Sequence, residues 1–135
     1  MKIVDLDGQS QEWKIKGHLL HTSLARQSRS DLHIKARQLL KEVFPTFKIF
    51  EEVPIPIIKG KTLYLDFYMP LRLLAIEVHG EQHYKFVPFF HHNIQTFMKQ
   101  KRNDHDKRDW CELNGIELMI LPYNEDINEW KHKFG

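Results

Sequence analysis

Two carboxylates and two histidines, Asp66, Glu77, His79 and His83, stand at spacings that can do chemistry. Residues 62–69 and 73–79 are apolar and aromatic on both faces, the pattern of strands covered on both sides. Alternation puts Tyr64, Asp66 and Tyr68 on one face of the first strand, and Glu77 and His79 on one face of the second. If the two form a hairpin turning through Pro70 to Leu73, opposed residues have numbers summing to 143, as Asp66 and Glu77 do. Like charges opposed across strands destabilise a sheet, and desolvation adds to the cost. A divalent cation or a shared proton relieves it. Two carboxylates and a strand carbonyl are hard oxygen ligands, the chemistry of Mg²⁺. Gly80 permits a sharp exit from the strand, after which His83 can fold back towards the carboxylates. Taken singly, an Asp and a Glu in strands are more often salt-bridged or solvent-facing, and a lone histidine is more often a hydrogen-bonded rim residue. Only the combination points to a site.

The elements that must position these residues follow from pattern. Residues 2–6 and 12–15 flank an Asp7-Gly8 turn signal and predict a small hairpin, with 16–27 as a connector. Ser28-Arg29-Ser30-Asp31 reads as a helix start. Leu32, Ala36, Leu39, Leu40 and Val43 then recur at helical spacing until Pro45. Residues 47–53, bounded by Pro54 and Pro56, suit an edge strand. A helical stretch over 89–113 ends at Gly115, a buried strand covers 116–121, and a short terminal helix lies between 122 and 130. The order predicts an α/β (α+β) fold with a mixed central sheet flanked by helices. Two regions result, a hairpin and connector over 1–27 and a core domain over 28–135.

Residues 99–109 contain no apolar side chain, although a core-packed helix shows one at every third or fourth position. One reading is a solvated face with i,i+4 pairs such as Lys101 or Arg102 with Asp106. The other is a face, through Lys101, Asp104, Lys107 and Arg108, that borders the metal site and neutralises phosphates without reading sequence. Residues 84–90, Tyr-Lys-Phe-Val-Pro-Phe-Phe, form an aromatic loop beside the site that either covers the core or stacks on bases. Lys85 within it is a further phosphate contact.

The 135 residues, 41% hydrophobic and 28% charged, exclude a disordered chain and fit one domain. No run approaches the roughly 18 apolar residues that span a bilayer, and the first residues lack the apolar stretch of a signal peptide. One cysteine, Cys111, cannot make an internal disulfide, which suits a reducing cytoplasm. A zinc cluster of His91, His92, His105 and Cys111 has no clear ligand spacing.

Asp66, then Glu77-Val78-His79 after ten residues, resembles the active-site hairpin of the PD-(D/E)XK (restriction-endonuclease-like) nuclease superfamily, with histidine where lysine is usual. The closer likeness is to very-short-patch-repair endonucleases and phage homing endonucleases, on Asp66, Pro70, Val78-His79-Gly80 and His83. Helix, three strands, helix, strand is the superfamily's αβββαβ core, and the likeness extends over residues 28–121. Glu81 stands where the repair enzymes have a cysteine, their structural zinc site has no counterpart in the same form here, and they lack a glutamate equivalent to Glu77. Mismatch specificity is therefore not carried over. The resemblance implies a Mg²⁺- or Mn²⁺-dependent DNA endonuclease, homing or repair in type, in a bacterial or phage-infected cell. It implies Asp66, Glu77 and the Val78 carbonyl as metal ligands, His79 or His83 as the proton-moving group, and Asp31 and Asp104 as acidic contributors. The chain's small size points to a dimer partner or accessory protein on the DNA. The alternatives are a non-catalytic nucleic-acid-binding module on a nuclease-like fold, and a zinc-dependent hydrolase or regulator using the histidines.

Overall fold

Five strands in a mixed sheet organise the chain, in a computed structural model that describes residues 1–20 and 30–135. A separate hairpin comes first, β1 (Lys2–Val4) against β2 (Ser10–Glu12), with Gly8 left-handed at its turn (φ 83°). The Asp5 carboxylate accepts from the amides of Asp7 and Gln9 and so shapes that turn. Then follow β3 (His18–Leu19), α1 (Asp31–Val43), β4 (Phe50–Ile58), β5 (Lys61–Met69), β6 (Leu74–His79), α2 (Ile94–Leu113), β7 (Glu117–Pro122) and α3 (Ile127–His132). The sheet order is β3-β4-β5-β6-β7. Its first four strands are antiparallel, and β7 joins β6 in parallel after the α2 crossover.

The sheet buries both faces. Ala36, Leu39 and Leu40 of α1 and Trp130 of α3 pack with Phe67, Met69, Leu74, Ile76 and Leu121. On the other side Trp110 and Cys111 of α2, with Ile3 and Trp13 of the hairpin region, pack on Val53, Ile55, Leu65, Tyr68 and Ala75. The N-terminal hairpin thus shares a core with the sheet. The boundary expected between residues 27 and 28 falls outside the described residues. So does Ser28, and the cap of α1 is Ser30, whose side chain accepts from the His33 amide.

Several boundaries moved for physical reasons. β4 runs on through Pro54 and Pro56, because β3 pairs only with Phe50 and Glu51 and leaves the rest of β4 as an edge that needs no amide donors. Residues 18–19, expected as connector, form β3. The long helix starts at Ile94, where Asn93 accepts from the Thr96 amide, rather than near 89. The terminal helix begins at Ile127, behind an Asp126–Glu129 capping box.

The β5–β6 register is the one alternation predicted. Phe67 pairs with Ile76, Tyr68 with Ala75 and Met69 with Leu74, around a 3-10 turn over Pro70–Arg72 and a left-handed Leu73. The ladder ends there, one step short of Asp66 and Glu77. Beside it, the β4 register runs from Glu51–Phe67 to Val53–Leu65 across Glu52, which is left-handed (φ 54°). Leu65 and Tyr68 pack on one side of the sheet while Phe67 packs on the other. Tyr64, Asp66 and Tyr68 therefore do not share one face as strict alternation requires. The strand changes phase at Asp66, and the sheet opens there.

Candidate functional site

At the point where β5 and β6 part, side chains replace the missing ladder bonds. The Asp66 amide donates to Glu77 Oε2 at 2.6 Å, and the Val78 amide donates to Asp66 Oδ2 at 2.8 Å. The carboxylates are thus fixed side by side by each other's strand. Glu77 is 2% exposed. Burial, and then the Glu77 charge, push the Asp66 carboxyl up to about 7, against the pull of the Val78 amide and Lys107. Lys107 of α2 reaches in from the opposite wall, its Nζ 2.6 Å from Glu77 Oε1. Burial works against the Lys107 charge, yet Glu77 and Asp66 outweigh it and hold the ammonium firmly protonated.

Asp66, Glu77, Val78 and Lys107 line a cleft of about 650 Å³, together with His83 and, from the start of α1, Ser30, Leu32 and His33. Two adjacent carboxylates, one of them held near neutrality in its pKa, form an oxygen-rich pair that a divalent cation would stabilise. The donor set fits Mg²⁺ or Mn²⁺.

Behind this pair lies a second polar group. His79 and His83 stack in parallel, centroids 4.0 Å apart and planes 3° off. The His83 Nδ1 lies 2.8 Å from Asp104 Oδ2, and the Tyr84 hydroxyl 3.5 Å from His79 Nδ1. Burial, and then His83, lower His79 to about 4, so it is neutral at physiological pH. His83 lines the cleft, while His79 is 6% exposed and lies behind it. One ligand atom each from His79, His83 and Asp104 lie within 4.8 Å of one another, close enough to consider a metal with nitrogen ligands. The grouping of His91, His92, His105 and Cys111, which has no ligand spacing in the sequence, is not assembled among the described residues. Cys111 is in the apolar core with its thiol pushed up to about 12, chiefly by burial, and His105 pairs with Asp109 across an exposed helix face.

The other expected residues fall at graded distances from the cleft. Asp31 is exposed on the first turn of α1 and does not line it, although its neighbours do. Of the polar face of α2, Asp104 and Lys107 turn inward, while Lys101 and Arg108 stay exposed. Lys101 lies over the rings of Tyr84 and Phe97, 5.7 Å from each. Asp106 pairs with Lys61 of β5 rather than with Lys101 or Arg102. Lys85 is exposed and bonded to Glu81. Phe89 and Phe90 are 86% and 52% exposed, so that end of the aromatic loop does not cover the core. Gly80 has an ordinary extended φ of −73°, and His83 folds back through the 3-10 turn Glu81–His83 instead of a left-handed glycine.

Sequence reasoning missed His33, Arg37 and Glu51. His33 stacks on Phe67 at 4.7 Å, and Arg37 grips both Glu51 oxygens at 2.8 and 3.3 Å. Burial alone would raise the Glu51 carboxyl, but His33 and Arg37 together hold it below its usual value. The signal was present: His33 and Arg37 stand four apart beside Ala36, Leu39 and Leu40, on the buried side of α1.

No family model matches the chain, and no solved structure does. Uncharacterized protein 307L of Invertebrate iridescent virus 6 is 40% identical over 72 residues, covering 50% of this chain and 36% of its own. Uncharacterized protein 033L of Invertebrate iridescent virus 3 is 38% identical, over 53% of this chain and 37% of its own. Uncharacterized protein 094L of Frog virus 3 is 40% identical over 76 residues, covering 55% of this chain and 49% of its own. The chain thus spans between about a third and a half of the length of these curated relatives. No helix among the described residues is long and apolar enough to cross a membrane. What the chain is similar to, on these comparisons, is a set of viral proteins.

Proposed function

We propose that the chain is a metal-dependent DNA endonuclease, hydrolysing phosphodiester bonds at the Asp66–Glu77 cleft. The observation that carries the reading is the break in the β5–β6 ladder, where a half-buried and a buried carboxylate are held side by side beneath an inward lysine. A purely structural pair of strands gains nothing from that arrangement. The order α1, β4, β5, β6, α2, β7 agrees with the core of the superfamily that the sequence resembles.

Asp66 and Glu77 would hold Mg²⁺ or Mn²⁺, beside Val78. A cation there supplies Lewis acidity at the scissile phosphate. Lys107 fixes the Glu77 carboxylate and adds positive charge where phosphate oxygens approach. His83, lining the cleft and backed by Asp104, accepts the proton of the attacking water. The exposed Lys85, Lys101 and Arg108 neutralise neighbouring phosphates.

A second reading, a nucleic-acid-binding module without catalysis, draws on the same Lys107, whose ammonium already neutralises Glu77. Incubation with plasmid, single-stranded and branched DNA in Mg²⁺, Mn²⁺ or EDTA separates the two. Cleavage that needs the cation and is lost in Asp66→Asn supports the nuclease. DNA binding with no cleavage of any substrate, and no divalent-dependent stabilisation, supports the binder.

A further inference from the structure

A chain of hydrogen bonds runs from the aromatic loop to α2 and ends at His83. The Val87 amide donates to His91 Nδ1 at 3.0 Å. A backbone N–H can only donate, so His91 Nδ1 carries a lone pair and its proton is on Nε2. That Nε2 lies 2.8 Å from Gln100 Oε1, which accepts it. The Gln100 amide group is thereby oriented, for the opposite orientation would set an NH₂ against a nitrogen that already bears hydrogen. Its NH₂ therefore faces His83 Nε2, at 3.3 Å. With Nε2 accepting, the proton of neutral His83 is on Nδ1, directed at Asp104 Oδ2 2.8 Å away. Every donor in the chain meets an acceptor, and the direction of each link follows from the first.

We infer that Gln100 and His91, neither of which lines the cleft, are positioning residues that fix the tautomer of His83 and present its Nε2 as the basic nitrogen of the site. The same logic bears on the cluster of His79, His83 and Asp104. A metal on His83 Nδ1 would displace the proton shared with Asp104 and move it to Nε2, where it would confront the Gln100 NH₂. At Nδ1 the resting arrangement is therefore a hydrogen-bonded His–Asp dyad, and Nδ1 and Asp104 do not share a metal. The long 3.3 Å contact from Gln100 is weak enough for a water or substrate proton to take its place.

The consequence for reaction rests on the nuclease reading, but the tautomer does not. Long-range ¹H–¹⁵N spectra of the histidine rings show which nitrogen carries hydrogen, without any substrate. In the wild type His83 is expected as the Nδ1–H form. Gln100→Glu replaces the NH₂ with an acceptor oxygen, so His83 Nε2 must become protonated. His91→Ala frees the Gln100 amide to turn and should give a mixture of both forms. A wild-type His83 protonated on Nε2, or a His83 still solely Nδ1–H in folded Gln100→Glu, overturns the inference. So does a single-turnover cleavage rate in Gln100→Glu equal to wild type at saturating enzyme, since loss of a positioned base costs roughly 10²–10⁴-fold. Should the wild type not cleave DNA at all, the nuclease reading fails while the spectra still decide the tautomer. Should Gln100→Glu fail to fold, the wild-type and His91→Ala spectra decide it.

Discussion

Replacing Lys107 by methionine keeps the aliphatic stem and removes the charge from the most buried ion pair of the cleft. The partners are 2.6 Å apart, with side chains 16% and 2% exposed, so solvent screens them little. Stripping one member from a buried pair costs about 3–5 kcal/mol, because the other charge stays behind unpaired. Glu77 would then keep only the Asp66 amide as a donor, beside the Asp66 carboxyl. An unfolding entropy of about 2.1 cal/mol/K per residue gives roughly 0.28 kcal/mol/K for a chain of 135 residues. The melting temperature in EDTA should therefore fall by about 10–18 °C. Thermal unfolding followed by circular dichroism measures it. The double variant Lys107→Met, Glu77→Gln should recover most of the loss, because a neutral amide needs no counter-charge. Added Mg²⁺ should raise the melting temperature of Lys107→Met by more than that of the wild type. A fall of less than about 3 °C, under 1 kcal/mol, would refute the reasoning, because it would mean the pair is solvated in solution.

Other consequences follow from the same geometry. Asp66 titrates near 7 in the folded, metal-free protein, above its unfolded value. Its contribution to stability is therefore fully present below about pH 4 and lost as pH rises to about 7, on the order of 4 kcal/mol in all. Asp66→Asn should remove that slope from denaturation curves recorded in EDTA, and an unchanged slope would place the titrating group elsewhere. Arg37→Met leaves the buried Glu51 with only His33 beside it and should cost about 3 kcal/mol in urea denaturation, whereas breaking the exposed Lys131–Glu42 pair should cost no more than about 1. Lys101→Ala and Arg108→Ala should each lower the salt slope of DNA binding by about one, with melting temperatures close to wild type. Unfolded variants that still bind DNA would make that helix face structural instead.

The hairpin that carries the site was legible because two constraints agree on it. A turn at Pro70 and the alternation of two short strands fix one register, and a slip of a single residue would turn Phe67 and Ile76 out of the core. What alternation could not show is that the ladder stops one step before Asp66. The same level of the sheet carries Glu52, whose left-handed backbone on the neighbouring strand has no signal in its residue type. The inward face of α2 was half legible. Eleven polar residues give no apolar stripe, so the sequence left Lys101, Asp104, Lys107 and Arg108 equivalent. The phase is set from beyond that stretch, by buried Trp110 and Cys111. Counting back from Cys111 in steps of four, three and four gives Lys107, Asp104 and Gln100, the residues that turn inward. Gln100 and His91 carried no signal of their own, since their role is to orient a neighbour across a loop whose path only the tertiary fold defines. In the sequence Pro54 and Pro56 mark a strand end, although the outer edge of β4, with no strand paired to it there among the described residues, tolerates them.

The central claim is that Asp66 and Glu77 hold a cation that hydrolyses DNA. Its most direct test is the single-turnover cleavage rate of plasmid DNA in Mg²⁺ for wild type and Asp66→Asn, with melting curves taken on both. The account predicts a folded Asp66→Asn protein that binds DNA and cleaves at least about 10²-fold more slowly, and a wild type silenced by EDTA. A folded Asp66→Asn protein cleaving at the wild-type rate, or wild-type cleavage that persists in EDTA, would contradict it.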